Sequence, residues 1–303
     1  MAPQLIIDAD MLVYGPTSTH RQEIDWPEAT RDPEVTTIHV DLVAARGHIL
    51  SQVTEWEWVF GAEPGTSILC FSDKSNWRKA VDPSYKAHRK GPKPPGFAKL
   101  VDWCERTWKC ERWEGLEADD VCGILGTRLD DAILISGDKD FQTIPCEQHD
   151  FNRDEPGTTR IPTLEEANRF HLVQSIAGDP TDGYVGCPGI GVERAGPIID
   201  GGKPTLLRAL LELPGIGPKK AETIWSKGED FVAQTLREKH PNTVSIYARF
   251  LGGWVAIVQT YLDNGLTEAD ALRNAQLAYI LRDGDYDAET GTVTAWQPEE
   301  VAA

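Results

Sequence analysis

The sequence contains no apolar run that approaches the eighteen or so residues needed to cross a bilayer. Its six cysteines include no C-x-x-C pair, so a zinc finger or a redox site of that pattern is not indicated. The opening stretch MAPQLIIDAD has no basic group ahead of Asp8, unlike a secretory signal. These absences predict a cytoplasmic protein without a membrane segment, in which the thiols are reduced and act as small buried apolar residues.

Positive charge is also scarce, since 30 Lys and Arg stand against 48 Asp and Glu and the formal net charge is −18. An acidic surface repels phosphate, so the overall charge argues against a nucleic-acid partner. The exception is residues 73–99, which we call the basic ribbon. It has only two acids, and its cations are Lys74, Arg78, Lys79, Lys86, Arg89, Lys90, Lys93 and Lys99.

The first half of the chain alternates short apolar runs with helical patterns. Residues 5–7, 67–71 and 132–135 are predicted strands. Apolar residues at helical spacing predict helices over about 37–60 and about 97–108. Buried strands separated by helices are typical of an α/β fold with a mostly parallel central sheet and flanking helices.

The pattern changes near residue 160. Thr163 and Glu166 form a T-x-x-E capping box that opens a helix. Helical patterns and Gly/Pro turns follow, without a convincing strand before the last twenty residues, and PGIG occurs at 188–191 and 214–217. We therefore expect an α/β domain over 1–160 and a mostly helical region over 161–303.

Acidic residues follow the ends of the three predicted strands, at Asp8, Asp73 and Asp138. Ligands collect at the carboxyl ends of parallel strands, so we expect these side chains to converge. Crowded carboxylates require a cation, and hard oxygen ligands suit Mg²⁺ or Mn²⁺. Two such ions activate water and stabilise a leaving oxygen in phosphodiester cleavage. The further acids are Glu117, Asp119, Asp120, Asp140, Asp179 and Asp182. Taken singly, each acidic group also fits a helix cap or a solvated turn.

The basic ribbon is placed to hold a phosphate backbone against such metals. Lys86 and Arg89 share a face if the segment is helical, and the adjacent Tyr85 is a candidate for stacking on a base. Trp77 is a weaker candidate, because tryptophan is more often simply buried. The alternative interpretation is a solvated charged loop. The remaining predicted DNA contacts of the basic ribbon are Arg78, Lys79 and Lys90.

The PGIG stretches indicate helix-hairpin-helix motifs. Their glycines allow backbone N–H groups and a helix N-terminus to approach a phosphate. The stretch LPGIGPKKAETI at 213–224 fits this pattern well, and an ordinary interhelical turn is the alternative. Its predicted phosphate contacts are Gly215, Gly217, Lys219 and Lys220.

Six stretches together resemble the flap-endonuclease-like 5′ nuclease superfamily, and within it the short 5′→3′ exonucleases of tailed phages. They occur in family order over most of the chain: LIIDADMLVY, FSDKSNWRKAVDPSYKAHRK, LEADDV, ISGDKDF, GDPTDGYVGCPGIG and LTEADALRNAQLAYILRDGDYD. The resemblance implies a PIN-like metal-dependent catalytic domain followed by a helical DNA-binding region with a helix–three-turn–helix. It also implies hydrolysis of DNA from the 5′ end, and some members of the family cut flaps or remove RNA primers.

The resemblance also implies roles for individual residues. Tyr85, Lys86 and Arg89 match residues of a helical arch, here at about 74–96, that engage the scissile phosphate. Gly189, Ile190 and Gly191 match the turn that grips the uncut strand, often with K⁺. The second PGIG lies outside the family pattern, and we expect it to contact the duplex further from the cut. The residues that match metal-binding acids are Asp8, Asp73, Glu117, Asp119, Asp120, Asp138, Asp140, Asp179 and Asp182.

We therefore expect a metal-dependent 5′→3′ exonuclease or flap endonuclease that uses two or more Mg²⁺ or Mn²⁺ ions. Its expected substrates are duplex DNA, 5′-flap DNA and RNA–DNA hybrids, and we expect a monomer in the cytoplasm of a bacterial host, acting in phage replication or recombination. Three alternatives remain open. Asp8 and Asp10 resemble the D-x-D of a haloacid-dehalogenase-type phosphatase, which explains neither the basic ribbon nor the hairpins. A non-catalytic DNA-binding replication factor would not need every acid, and a PIN-type ribonuclease would not be expected to carry hairpins.

Overall fold

The computed structural model describes residues 2–25, 36–89 and 91–298. The chain divides into two compact units. The α/β unit contains Met1–Ala80, Arg89–Ala167 and Ile280–Thr294, and the helical unit contains Val81–His88, Asn168–Tyr279 and Ala295–Ala303. Each unit is therefore assembled from separate parts of the chain.

The first thirteen elements lie in the α/β unit, except that Val81 and residues 168–177 belong to the helical unit. In chain order they are β1 (Gln4–Asp8), α1 (Ala9–Thr19), β2 (Arg21–Asp25), β3 (Thr36–Val40), α2 (Leu42–Phe60), β4 (Ile68–Cys70), α3 (Arg78–Val81), α4 (Phe97–Thr107), β5 (Lys109–Glu111), α5 (Ala118–Arg128), β6 (Ala132–Ser136), β7 (Glu147–Asp150) and α6 (Leu164–Ala177).

Five strands form one parallel sheet in the order β5-β4-β1-β6-β7. β1 lies at its centre, with Ile6 opposite Ile68 of β4 and Ile7 opposite Ile135 of β6. Every residue of β4 and β6 is buried, as expected for strands covered on both faces. The prediction of a mostly parallel α/β fold is confirmed.

The helix expected over about 37–60 is shorter in the structure and begins at Leu42. Residues 36–40 form β3, which pairs antiparallel with β2, and Ile38 is 40% exposed. Asp41 caps α2, because its carboxylate accepts two backbone N–H groups of the first turn at 3.0 Å. Ile38 therefore matches the helical spacing by coincidence.

The basic ribbon is not a continuous helix in its described part. Between residues 74 and 96 the helix that is described is α3, which has four residues, and turns follow over 83–88. Pro83 cannot donate a backbone hydrogen bond. Lys86 has φ of +55°, a left-handed conformation that a helix does not contain. Lys86 and Arg89 consequently do not share a helix face, contrary to the expectation of a helical arch.

The helical unit contains the next elements. They are β8 (Gly178–Asp179), β9 (Tyr184–Val185), α7 (Val192–Asp200), α8 (Lys203–Glu212), α9 (Pro218–Trp225), α10 (Glu229–Lys239), α11 (Thr243–Leu251), α12 (Gly253–Asp263) and α13 (Glu268–Ala278). The short antiparallel pair β8–β9 was not expected from the sequence. One core of this unit is formed by α8, α9, α10 and α11, and its buried residues include Leu206, Ile224, Leu236 and Ile246.

The segment Ile280–Thr294 completes the α/β unit and carries β10 (Tyr286–Asp287) and β11 (Thr292–Val293). It packs directly on α5, because a Cβ added to Gly123 would lie 2.3 Å from the carbonyl oxygen of Leu281. The Arg128 side chain of α5 also donates to Asp283 at 2.7 Å. Ile280–Thr294 thus packs on α5, a helix that begins more than 150 residues earlier in the sequence.

The cysteines behave as the sequence predicts. All six are free, and all except the half-buried Cys110 are buried. Burial raises the pKa of the Cys104, Cys110 and Cys146 thiols to about 12, so these groups are inert near neutral pH. Across residues 2–25, 36–89 and 91–298, no helix has the length and apolarity required to span a membrane.

Candidate active site

Three acids lie at the carboxyl edge of the sheet. Asp8 ends β1, Asp73 follows β4 by three residues, and Asp138 follows β6 by two. β4, β1 and β6 are adjacent and parallel, so their ends share one edge. The predicted placement of these three acids at one edge is therefore what the structure shows.

Ser136 connects two of these acids and was not singled out from the sequence. Its hydroxyl donates to Asp8 Oδ2 at 3.0 Å and accepts the backbone N–H of Asp138 at 3.1 Å. Burial, together with the nearby Asp10 and Asp138 carboxylates, raises the pKa of Asp8 to about 7. A cation bound at this edge would offset the repulsion that raises that pKa. The sequence offers one indication of this role for Ser136, which lies two residues before Asp138 in the acidic motif ISGDKDF.

Asp73 is held by hydrogen bonds that converge on one oxygen, Oδ2. The hydroxyl of Ser75 donates to it, as do the N–H groups of Ser75 at 3.2 Å and Gly115 at 3.1 Å. The Ser75 hydroxyl and then the Gly115 N–H lower the pKa of Asp73 well below its usual value. Asp73 is therefore ionised throughout the neutral range.

The start of α5 supplies Glu117 and Asp119, both half-buried. The backbone N–H of Ala118 donates to the Ser72 hydroxyl at 3.0 Å, which ties the start of the helix to the end of β4. A helix N-terminus favours negative charge. Glu117 and Asp119 thus lie on a helix that is anchored to the sheet edge.

Asp120 and Arg78 do not occupy the places expected of them. Asp120 is 0% exposed and Arg78 is 2% exposed. Two guanidinium nitrogens of Arg78 donate to the two carboxylate oxygens of Asp120, each at 2.8 Å. Burial rules out the expected DNA contact of Arg78 in this conformation, and the ion pair engages the expected metal ligand Asp120. Trp77 donates its indole N–H to Asp120 at 3.0 Å, and the guanidinium carbon of Arg78 lies 4.8 Å from the centre of its ring.

Asp138 and Asp140 lie in a short 3₁₀ turn after β6. Asp138 Oδ1 accepts the backbone N–H of Asp140 at 2.9 Å, which fixes the Asp138 carboxylate relative to the backbone of Asp140. Lys139 Nζ lies 3.4 Å from Asp140 Oδ1. Both acids are half-buried and remain accessible to a ligand.

The helical unit carries Asp179 and Asp182 on the turn between β8 and β9. Asp179 Oδ1 accepts the N–H of Thr181 at 2.7 Å. Lys86 is docked on this turn, since its N–H donates to the Asp182 carbonyl at 2.8 Å and its Nζ lies 3.4 Å from Asp182 Oδ1. The predicted arch lysine is therefore in contact with a predicted metal ligand.

Tyr85 has a different role from the one expected. The side chain is among the largest that are fully buried, and it packs with Tyr184 and Leu277. Its hydroxyl donates to Asp182 Oδ2 at 2.8 Å. A ring held in this way cannot stack on a base, so the prediction of stacking is wrong for this conformation. The other cations Lys79 and Arg89 are exposed, and Lys90 lies outside the described residues.

The carboxylates fit a hard divalent cation by their chemistry. The candidate donors at the sheet edge are oxygen atoms, the ligands that Mg²⁺ and Mn²⁺ prefer. In the part of the chain that the structure describes, no three His, Cys, Asp or Glu side chains are grouped as a preformed metal site. The fit therefore rests on the donor type and on the raised pKa of Asp8.

The two PGIG hairpins have the same backbone geometry. Gly189 and Gly215 have φ of +72° and +74°, and this left-handed conformation favours glycine. Gly191 and Gly217 cap the following helices with φ of −95° in both hairpins. All four glycines are exposed, and a Cβ on any of them would meet no atom within 4 Å. Ile190 is half-buried, and its counterpart Ile216 is buried.

A cation also closes each hairpin. Arg194 donates to the Gly189 carbonyl at 3.0 Å, and Lys220 donates to the Gly215 carbonyl at 3.3 Å. Lys219 is exposed beside the second hairpin. The second PGIG is thus a structural equivalent of the first, in which one of the two predicted lysine contacts is engaged within the hairpin.

Comparison with curated proteins finds two phage relatives that span nearly the whole chain. The exodeoxyribonuclease of Enterobacteria phage T3 is 31% identical over 307 residues, covering 97% of this chain and 92% of that protein. The exonuclease of Escherichia phage T7 is 31% identical over 308 residues, covering 97% and 93%. A 5′-3′ exonuclease of Mycobacterium tuberculosis is 29% identical over 62% of this chain and 69% of its own length. No protein-family model matches the chain.

Solved structures resemble the chain more distantly. T5 5′-exonuclease with bound zinc is 19% identical, with a TM-score of 0.48 over 86% of this chain and 97% of that chain. The catalytic core of Rad2 in complex with DNA is 11% identical, with a TM-score of 0.43 over 82% and 72%.

Proposed function

The chain belongs to the phage exonucleases of the 5′ nuclease superfamily, and on that basis we propose that it hydrolyses DNA phosphodiester bonds from the 5′ end with the help of divalent metal ions. The observation that carries the proposal is the set of acids at or just after the carboxyl ends of three adjacent parallel strands, Asp8, Asp73 and Asp138. Carboxylates at the carboxyl edge of an α/β sheet are positioned to act on a bound ligand.

Mg²⁺ or Mn²⁺ is the cation that these oxygen donors suit. When bound, such ions lower the pKa of water and neutralise charge that develops on a phosphate. We assign the binding of these ions to acids of the α/β unit other than Asp120, with Asp179 and Asp182 as a second group of candidate ligands in the helical unit. The acids assigned in the α/β unit are Asp8, Asp73, Glu117, Asp119, Asp138 and Asp140.

The protein groups have distinct parts in this proposal. Ser136 fixes Asp8 and Asp138 relative to each other. Lys86 and Arg89 stabilise negative charge on the phosphate as it develops. Because Lys86 contacts Asp182 in this structure, its ammonium group must leave that carboxylate to reach a phosphate.

The hairpins are the proposed contacts to duplex DNA. Exposed glycines and the N-termini of α7 and α9 present backbone N–H groups to a phosphate without obstruction. The first hairpin, at Gly189–Gly191, is the one we assign to the uncut strand and to a K⁺ ion. Such contacts read no sequence, which suits an enzyme that degrades DNA from an end.

The second hairpin offers a specific prediction. We expect Lys219→Glu to weaken duplex binding and to reduce the slope of log Kd against log salt by about one, because one phosphate contact is lost. Lys239→Glu, at the exposed end of α10, changes charge equally and should leave the slope unchanged. Gly215→Val strains the left-handed turn and should act in the same direction as Lys219→Glu. An unaltered affinity and slope in both hairpin variants would leave the second PGIG as a structural turn.

The test of the proposed function is a cleavage assay with duplex DNA, 5′-flap DNA and an RNA–DNA hybrid, each labelled separately at either end. We expect early release of short products from the 5′ label with Mg²⁺ and none with EDTA. Cleavage of the flap or the hybrid would define the subclass. Absence of metal-dependent cleavage on every substrate would refute the proposal and favour a phosphatase or a binding protein.

The setting of this activity is a further part of the proposal. Both relatives that span the chain are phage proteins, so we place the reaction in the cytoplasm of a bacterial host, in phage DNA replication or recombination. We propose that the protein acts as a monomer, and light scattering with and without DNA would detect any larger assembly.

A further inference from the structure

The buried Arg78 is a cation within the acidic part of the α/β unit. We propose that Arg78 is a positioning residue, which neutralises Asp120 and orients Glu117 for metal binding and does not contact DNA. This inference rests on the metal dependence of the proposed function. The sequence predicts that Asp120 binds a metal and that Arg78 contacts DNA, and the proposal gives both residues a different role.

The contacts of Asp120 leave it poorly suited to bind a metal. Its Oδ1 accepts from Arg78 at 2.8 Å and from the Leu281 N–H at 3.2 Å. Its Oδ2 accepts from Arg78 at 2.8 Å, from Trp77 at 3.0 Å and from the Glu117 N–H at 3.3 Å. A carboxylate has about four lone-pair sites, and these five donors occupy them. Protein groups alone therefore fill the hydrogen-bonding capacity of the Asp120 carboxylate.

Glu117 differs from Asp120 in one respect that matters for metal binding. Arg78 Nη1 lies 3.2 Å from Glu117 Oε2, yet the Glu117 side chain is 13% exposed whereas that of Asp120 is 0% exposed. The guanidinium can restrain one Glu117 oxygen while the side chain remains partly accessible. Groups that restrain a ligating side chain in this way tune metal affinity.

Arg78 is itself held in place by its neighbours. Its N–H donates to Asn76 Oδ1 at 2.9 Å, and its guanidinium carbon lies 4.8 Å from the centre of the Trp77 ring. The N–H of Trp77 donates to the Gly115 carbonyl at 2.9 Å, and the N–H of Gly115 donates to Asp73 at 3.1 Å. These bonds connect the start of the basic ribbon to the segment that leads into α5.

The charge of Arg78 is permanent, because a guanidinium is not deprotonated in proteins. It therefore balances one carboxylate at every working pH. With Asp120 neutralised in this way, we assign metal binding at the start of α5 to Glu117 and Asp119.

The experiment compares Arg78→Met with Lys79→Met, the adjacent exposed cation. Mn²⁺ affinity is measured by calorimetry without DNA, and the salt slope of duplex binding is measured in Ca²⁺. We expect Arg78→Met to lower Mn²⁺ affinity by about 10- to 100-fold and to leave the salt slope unchanged. Lys79→Met should leave Mn²⁺ affinity unchanged and reduce the salt slope by about one.

A second variant separates positioning from folding. Arg78→Met leaves the Asp120 carboxylate buried without its partner, so we expect its Tm to fall by roughly 10 °C. Arg78→Met/Asp120→Leu removes both buried charges and should recover most of that loss. Its Mn²⁺ affinity should stay low, because Glu117 still lacks the guanidinium.

Two results would overturn the inference alone. A salt slope reduced by about one in Arg78→Met would make Arg78 a phosphate contact, and wild-type Mn²⁺ affinity in the double variant would make the pair merely structural. Failure of the wild-type protein to bind Mn²⁺ would instead overturn the metal dependence of the proposed function, and this inference with it.

Discussion

Asp138→Asn is expected to lower kcat by at least about a thousandfold, while duplex affinity measured in Ca²⁺ stays within about threefold of wild type. Asp138 follows β6, the strand that pairs with the central β1. The Ser136 hydroxyl forms hydrogen bonds to both Asp8 and Asp138. Asparagine keeps the size and the oxygen that accepts the Asp140 N–H, so the local turn is retained. What is lost is the negative charge that a divalent ion requires.

The control for this variant lies at the other end of the same strand, just before β6. Asp131 is exposed at the amino end of β6, the edge opposite to the candidate ligands, so Asp131→Asn should leave kcat unchanged. Single-turnover cleavage gives the rates, and calorimetry with Mn²⁺ should show weaker metal binding in Asp138→Asn only. A kcat near that of wild type for Asp138→Asn would remove Asp138 from the metal site.

Lys86→Met is expected to slow cleavage by about a hundredfold, the scale of one lost electrostatic stabiliser. Methionine retains the apolar stem that lies along the Tyr85 ring, where Lys86 Nζ is 4.9 Å from the ring centre. The variant therefore removes the charge and little packing. We expect the loss to appear in kcat with DNA affinity changed by less than about tenfold, because a single phosphate contact carries a small part of total binding.

Lys109→Met provides the matched control, since Lys109 is an exposed lysine of β5 outside the basic ribbon. Rates for both variants are measured at saturating DNA. An unchanged rate in Lys86→Met would show that the lysine serves only as a partner for Asp182. A fall confined to DNA affinity would make it a binding residue without a part in the chemical step.

The sequence was sufficient for the centre of the fold because its strongest signals are local. β1, β4 and β6 contain short runs of buried apolar residues; β1 ends in an acid, and β4 and β6 are each followed by one within three residues. Parallel pairing then places Asp8, Asp73 and Asp138 at one edge without any further information. The capping box at Thr163 is equally local, and the structure contains its reciprocal hydrogen bonds to Glu166.

The strands that the sequence did not reveal lack an apolar pattern. β7 reads EQHD, and three of its four residues are buried although all are polar. Asp150 is satisfied there by Arg153 at 2.9 Å and by the N–H of Asn152 at 3.0 Å. Hydrophobic periodicity cannot detect a strand whose burial depends on polar partners. β2 reads RQEID, and this pattern does not predict a strand either.

The errors at the site have a related cause. Arginine and tyrosine in a basic segment are typical of a surface that binds DNA, and nothing local shows otherwise. The partner of Arg78 is Asp120, 42 residues later, and the partner of Tyr85 is Asp182, 97 residues later. Such pairs are created by tertiary packing, so their residues can be assigned only when the fold is in hand.

The packing of Ile280–Thr294 on α5 has a consequence for the synthesis of the protein. A chain generally folds from its N-terminus as it leaves the ribosome. Here α5, which carries Asp119, meets the backbone of Leu281 at Gly123, so its final environment forms only after Leu281 has been made. We expect arrested nascent chains that end at Tyr279 to leave α5 sensitive to protease, and full-length arrested chains with a C-terminal spacer to protect it. Equal protection in both would remove this dependence. We therefore expect nuclease activity to appear only after Ile280–Thr294 has packed on α5.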